Sequence, residues 1–359
     1  MSNLFSEIVV RDRKIKNRIV MPPMVRYSYA GNEGQVTEKN IQHYEARARG
    51  GVGLIIIEAA CVNKNGRLDP TQLGLWSDSQ IAGFSRISQA CHRYDAKVLV
   101  QIHHAGLNVH PAVSGILVAP SDFQGKARAG EVTARALTLS EIRDLQDEYI
   151  AAAVRAQKAG LDGIEIHGAH GYLISQFLSP IVNQRKDLYG GSLVKRCRFV
   201  TEIIAGIREA VGPDFIIGCR LGSNEPDLKS GIEIAQRIEK AGVDLLHISA
   251  GFGLPEESDL KESPHVPGDF HYDWIVYGGT EIKRHVHIPV IVVSGIKTPE
   301  QASYLVEHDL TDFTAIGRGL LIDPEWANKA RQNQAVIACI QCQSCQYQEP
   351  EGICPQTLI

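Results

Sequence analysis

The chain has 359 residues, 44% of them apolar and 22% charged, with a formal net charge of −4. That balance suits an ordinary globular protein and gives no reason to expect nucleic acid or an anionic membrane surface as a partner. No run of 18 apolar residues appears and MSNLFSEIVVRDRK lacks the apolar core of a signal peptide, so a cytoplasmic protein free of the membrane is expected.

Short runs rich in Ile and Val recur along the chain. They are NRIVMPPM at 17–24, GLIIIE at 53–58, KVLVQIHH at 97–104 and GIEIHG at 163–168. Then come FIIGCRL at 215–221, DLLHISAG at 244–251, PVIVVSG at 289–295 and FTAIGRG at 313–319. Most are nearly continuous in apolar residues, as strands buried on both faces of a parallel sheet should be. Between them, helical spacing appears at about 77–95, 140–160, 192–211, 230–242, 273–286 and 299–309. In the second of these, Ser140 is the expected N-cap, Glu141 suits the positive helix start and Gly160 the stop. Eight strands alternating with helices predict an α/β fold, a (β/α)₈ TIM barrel, as a single domain over 1–332 with a Cys-rich extension at 333–359. A doubly wound sheet is the runner-up, but its first strand should lead into G-x-G-x-x-G, and VRYSYAGNEG stands there instead. The segments 105–139 and 252–272 read as irregular walls or lids over the mouth of the barrel.

Such a barrel gathers its chemistry at the C-terminal strand ends. Gln101, His103 and His104 follow the third strand; His167, His170 and Tyr172 the fourth; Arg220 ends the fifth. Ser294-Gly295 after the seventh and Gly317-Arg318-Gly319 after the eighth are the expected phosphate turns, because glycine lets backbone N–H groups approach the oxygens and Arg318 adds charge. His167 and His170 are three apart with only Gly and Ala between, so both rings can share one space. Three readings follow: rim histidines satisfied by backbone, a metal site for which no third ligand is evident nearby, or two donors on one oxygen that polarise a carbonyl. Tyr172, two residues further, is placed to give a proton to a carbon becoming an enolate.

HGAHGYLISQFLSP, followed by N-x-R-x-D-x-YGGS from Asn183 to Ser192, resembles the signature of the Old Yellow Enzyme family (NADH:flavin oxidoreductases). The likeness runs from NRIVMPPM through GGVGLIIIEAA, QIHHAG and CRLG to IGRGLLIDPEWANK. The terminal cysteines bring it nearest the branch of 2,4-dienoyl-CoA reductase and trimethylamine dehydrogenase. The resemblance implies an FMN enzyme that uses NADH or NADPH to reduce the activated C=C bond of a small enone or enoate. It places Pro23, Met24, Ala59 and Ala60 against the flavin, Gln101 on its pyrimidine edge and Arg220 near N1 and O2. Ser294, Gly295, Gly317 and Arg318 would hold its phosphate. His167, which would touch the flavin as well, and His170 would bind the substrate carbonyl, Tyr172 would be the proton donor, and Tyr27 would touch substrate. Val25 replaces a cysteine found in some relatives, so the FMN is expected to be noncovalent, and His167 in place of tyrosine disfavours amine oxidation. Because the chain ends at Ile359, the further nucleotide-binding domains of the large reductases are not expected. A homo-oligomer is expected.

Cys61, Cys91, Cys197 and Cys219 read as small buried hydrophobes, whereas Cys339, Cys342, Cys345 and Cys354 form C-x₂-C-x₂-C-x₈-C. Four clustered thiolates suit a [4Fe–4S] cluster, with zinc or a vestigial thiol group as the alternatives. A rival function follows from that tail: a flavin/iron–sulfur dehydrogenase or electron-transfer subunit serving a redox partner protein. A non-catalytic flavin-binding scaffold is the third reading, and it has no use for the His167, His170 and Tyr172 group.

Overall fold

All eight Ile/Val-rich runs form strands: β1 Ile19–Met21, β2 Leu54–Cys61, β3 Lys97–His103, β4 Gly163–Gly168, β5 Ile216–Gly222, β6 Leu245–Ser249, β7 Val290–Val293 and β8 Phe313–Ala315. In the computed structural model, which describes residues 3–26, 29–127, 130–251, 263–343, 345 and 354–357, they close into a parallel barrel in chain order. This is the (β/α)₈ TIM barrel that the alternation predicts. The continuous apolar runs are explained by strand alternation, which sends successive side chains to opposite faces. Inward, Val20, Leu54, Ile56, Leu99, Ile216, Leu245, Ile291 and Phe313 pack on one another. Outward, Ile55, Ile57, Val98, Val100, Ile217, Leu246, Val290 and Val292 join the larger core under the helices. Each such side chain contributes about 1.5–3 kcal/mol relative to leaving it in water.

The main helices are α1 Glu38–Arg49, α2 Ile81–His92, α3 Leu139–Lys158, α4 Leu193–Val211, α5 Leu228–Ala241, α6 Trp274–Lys283, α7 Pro299–Glu307 and α8 Trp326–Arg331, with two short helices more, Leu173–Leu178 after β4 and Arg318–Ile322 after β8. α1 carries so many charges that its buried stripe, Ile41, Tyr44 and Ala48, does not stand out in the sequence. The N-cap of α3 is Thr138, not Ser140. Its hydroxyl accepts from the Glu141 amide and Glu141 reaches back to the Thr138 amide, a reciprocal box that needs a spacing of three. Gly160 follows the C-cap Ala159 at φ +75°, the left-handed conformation that ends a helix most readily at glycine.

Two pieces of structure lie outside the alternation. A hairpin, Ile8–Val10 with Arg13–Ile15, sends Val10 and Ile15 into the interior cluster and so closes the floor of the barrel. The segment 105–139, expected to be irregular, contains a three-stranded sheet of Leu117–Ala119, Phe123–Ala127 and Gly130–Ala136. At the floor, Asp162, Asp244 and Asp312 each precede a strand and accept the amide of a neighbouring strand, from Val98, Ile217 and Val290 at 2.8, 2.8 and 2.9 Å. These carboxylates fix the register of β3, β5 and β7 against β4, β6 and β8. No helix among the described residues is long and apolar enough to cross a membrane.

Candidate active site

Two residues beyond the apolar floor, the same inward parity presents polar groups. Gln101 and His103 follow Leu99 on β3, Glu165 and His167 lie on β4, Arg220 on β5, and His247 and Ser249 follow Leu245 on β6. Strand register sets Arg220 level with His167 on one side and His247 on the other. The lowest polar layer centres on Glu165, which accepts from Gln101 Nε2 at 2.7 Å and meets His247 Nδ1 at 2.8 Å. Burial, with Arg220 beside it, holds His247 below its ordinary range, so its ring is neutral and Nδ1–H donates to the carboxylate. Its Nε2 is buried without a partner among the described residues.

Above that layer, Arg220 Nη2 donates to Ser249 Oγ at 3.2 Å, and Ser249 Oγ lies 2.7 Å from His170 Nε2. His170 Nδ1 is 3.3 Å from His167 Nε2. His170 has φ +61°, unusual for a non-glycine residue, and its amide is held by the Ala250 carbonyl at 3.1 Å. Tyr172 packs edge-on to His167 and His103, with centroids 4.9 and 5.1 Å away. His167, His170 and Tyr172 thus come together. Burial depresses the histidines: His103 to about 3, His104 to about 4, and His167 well below 6.5, the last aided by the nearby His170, His103 and Arg220. These rings are neutral at physiological pH and serve as hydrogen-bonding groups rather than cations.

Beside this cluster opens a cavity of about 250 Å³, lined by Pro23, Met24, Arg220, Ser294, Gly295, Gly317 and Arg318. Seven of the expected flavin contacts therefore share one space. Ser294 and Gly295 both have positive φ, +110° and +65°, a bend that turns the chain after β7 around the cavity. A Cβ at Gly317 would meet nothing nearer than 3.6 Å, so that turn has room for a ligand oxygen. Arg220 Nε is buried and unpartnered among the described residues. An acceptor-rich ring edge at Arg220 and a phosphate at Arg318 fit this donor set, as FMN would require. Ala59, Ala60 and Gln101 lie outside the cavity lining; Gln101 donates downward to Glu165 and the Ala59 carbonyl accepts from Gln72 at 2.8 Å. Tyr27 lies outside the described residues.

The four tail thiols, Cys339, Cys342, Cys345 and Cys354, line one small cavity together with Arg318 and Ile322. The donors are of the kind that binds iron–sulfur clusters or zinc. Among the described residues no three His, Cys, Asp or Glu side chains already converge as a ligand set. Cys339 and Arg318 line both this cavity and the larger one.

Lys297, Ser249, Glu165 and His247 were not apparent as site residues from the sequence. Three of them sit inside runs that read simply as strands, and Lys297 follows a turn whose glycine drew the attention. Inward parity, counted from Leu99 or Leu245, is the signal that would have found the strand residues. A second cavity, about 330 Å³, lies between α3 and the three-stranded sheet, and His104 is the strand-end histidine that reaches it.

Residues 3–336 match the model of the NADH:flavin oxidoreductase / NADH oxidase family. An NADH oxidase of Thermoanaerobacter brockii is 45% identical over 351 residues, 95% of this chain and 52% of that protein. This chain thus spans about half that relative's length. An NADPH dehydrogenase of Halalkalibacterium halodurans is 37% identical over 91% of this chain and 93% of its own. Among solved structures, the Old Yellow Enzyme homologue of Zymomonas mobilis superposes with a TM-score of 0.80 at 28% identity, covering 98% of this chain and 99% of that one.

Proposed function

The chain belongs to the NADH:flavin oxidoreductase / NADH oxidase family, that of Old Yellow Enzyme, and on that premise we propose an FMN-dependent NAD(P)H oxidoreductase that reduces activated C=C bonds of enones and enoates. The observation that carries this reading is the meeting of His167, His170 and Tyr172 beside the cavity lined by Arg220. Bound there, FMN supplies two-electron redox chemistry between the nicotinamide and the acceptor. Pro23 and Met24 form an apolar wall for its ring system. Arg220 would present a buried guanidinium to an acceptor-rich edge of the ring, while Arg318, Lys297 and the turns at Gly295 and Gly317 would hold the phosphate. His167 and His170 grip the acceptor's carbonyl oxygen and stabilise the enolate-like charge that builds there. Tyr172 hands its phenolic proton to the α-carbon. We assign residues 1–332 to the barrel and 333–359 to the extension.

The flavoprotein reconstituted with FMN tests this. His167→Ala/His170→Ala should slow re-colouring by an enone far more than bleaching by NADPH, since hydride leaves a ring carbon of nicotinamide without building enolate charge on an oxygen at these donors. Unchanged enone turnover in the double variant would remove the carbonyl-binding role. A second reading is favoured by Cys339 and Arg318, which line both cavities. In it the four thiolates hold a [4Fe–4S] cluster, or zinc, and the chain works as a flavin/iron–sulfur dehydrogenase with a partner protein. Iron and sulfide analysis of anaerobically purified protein separates the two, and Cys342→Ala should then lose most of the metal.

A further inference from the structure

The cavity of about 330 Å³ between α3 and the three-stranded sheet shares no lining residue with the one that fits a flavin. The chain leaves its polar groups incomplete. His104 lines it and is only 4% exposed. The Gly106 amide donates to His104 Nδ1 at 3.1 Å, and burial lowers the ring to about 4, so it is neutral and its one proton sits on Nε2. That N–H has no acceptor among the described residues. Gly66 seats this edge of the ring, since a Cβ there would fall 2.1 Å from Cδ2 and 2.4 Å from Nε2. On α3, Asp144 and Glu148 stand four apart and so share a face of the helix. Glu148 Oε1 accepts from Asn63 at 2.6 Å, while Oε2 is buried without a partner. The third acid on that face, Glu141, is neutralised by Arg135 through contacts of 2.9 and 2.6 Å. Asp144 and Glu148 have no such cation among the described residues; Arg155, which eases Glu148 from a distance, is tied to Asp78 at 2.8 Å.

We propose that this cavity is a second small-molecule site, for an organic ammonium whose charge meets Asp144 and Glu148 and whose hydroxyl or carbonyl oxygen accepts from His104 Nε2. Its volume is that of a small ligand pocket. Val109, Leu137 and Leu145 give it an apolar wall for the hydrocarbon that joins the two polar ends. A metal ion suits it less, because a protonated Nε2 offers no lone pair, and no three His, Cys, Asp or Glu side chains among the described residues converge as a ligand set. An anion suits it less as well: Arg135 already spends two donors on Glu141, and the remaining carboxylates repel. Burial pushes the Glu148 carboxyl above its ordinary range and Asp144 adds to that push, so a cation between the two relieves a cost that the empty cavity carries.

The test is calorimetric titration of the full chain, with FMN added, using 5-amino-1-pentanol as the probe. The expected result is saturable binding that leaves the flavin spectrum unchanged. Asp144→Asn/Glu148→Gln should weaken it at least about tenfold, as the loss of charge-assisted contacts does. On the ligand side, pentylamine lacks the oxygen for His104 and should bind about fivefold more weakly, the size of one net hydrogen bond. Uncharged 1,5-pentanediol should not compete. No saturable heat, or an affinity unmoved in the double variant, overturns the proposal. So does pentylamine bound as tightly as the amino alcohol, or 5-hydroxypentanoate bound more tightly than either, which would make this an apolar or an anion pocket. A flavin spectrum that shifts in step with the heat places the probe at the flavin and overturns it too. Should the double variant fail to fold, the ligand series on the wild type decides alone.

Discussion

The floor and the mouth of this barrel are built on the same strands and the same inward parity, yet they obey different rules. At the floor, Leu99, Ile216, Leu245 and Phe313 meet one another and are sealed from below by Val10 and Ile15. Two residues along, roughly 7 Å higher at strand rise, stand Gln101 and His247, with Arg220 level with His247 on the neighbouring strand. A floor side chain needs only the right volume, because dispersion and water exclusion have no direction. A mouth side chain needs a partner of the right polarity, since an unpaired buried polar group costs about 1–3 kcal/mol. In the mouth, Arg220 Nε and His247 Nε2 are buried without a partner among the described residues. The apolar floor is packed by side chains of the chain itself, whereas these two mouth atoms are left for a bound partner to satisfy.

The sharpest test of that contrast is Phe313→Ala. Phe313 is fully buried in the floor, and the cavity left behind should lower unfolding free energy by about 3–5 kcal/mol in urea titrations. FMN affinity of the folded protein should stay where it was. A parallel loss of FMN affinity would break the separation between the two regions.

Glu58, near the end of β2, gives the next largest effect and ties the two regions together. Its carboxylate accepts the Arg26 amide at 2.9 Å and the Tyr44 hydroxyl at 3.0 Å, which braces the loop carrying Pro23 and Met24 against α1. Burial pushes this carboxyl up to about 7, although those donors oppose the shift. The folded protein therefore keeps a proton that the unfolded chain releases near pH 4.5. The stabilisation is complete below that pH, falls away as pH rises to about 7, and is absent above, a span of roughly 3 kcal/mol. Glu58→Gln should flatten this part of the stability–pH curve. An identical slope in the variant would show that another group titrates there.

These two regions also differ in how far the sequence reveals them. Runs such as GLIIIE and PVIVVSG announce buried strands, because only a two-sided core tolerates so many consecutive apolar residues. Their very continuity hides which face is inward, and so Glu165 and Ser249 pass for strand filler. The histidine pair is legible because His167 and His170 cluster within four residues; the Ser249 contact depends on a strand some eighty residues away, which no local pattern reports. The sheet in 105–139 escapes notice since FQGKA and GEVTARA hold too few apolar side chains to look like strands. Ser140 and Thr138 compete for one cap, and the tie is broken by Glu141 lying three residues after Thr138.

Lys297 offers the smallest effect and the finest division within the mouth. It lines the cavity proposed for the flavin but remains half-exposed, and its backbone amide is tied to Gln301 Oε1 at 2.8 Å, so the loop keeps its shape when the side chain is cut. Lys297→Ala should change folding stability by no more than about 0.5 kcal/mol, as surface substitutions generally do. A charge-assisted contact to phosphate contributes about 1.5–3 kcal/mol when dry, and solvent access moves this one to the lower end. FMN should then bind about tenfold more weakly, with a shallower salt dependence than in the wild type. Riboflavin has the same ring and no phosphate, so its affinity should be indifferent to the change. Titrating both ligands against wild type and variant therefore isolates the phosphate. Equal weakening of FMN and riboflavin would mean that Lys297 acts on the ring or the loop, and the phosphate would have to be assigned to Arg318 and the glycine turns alone.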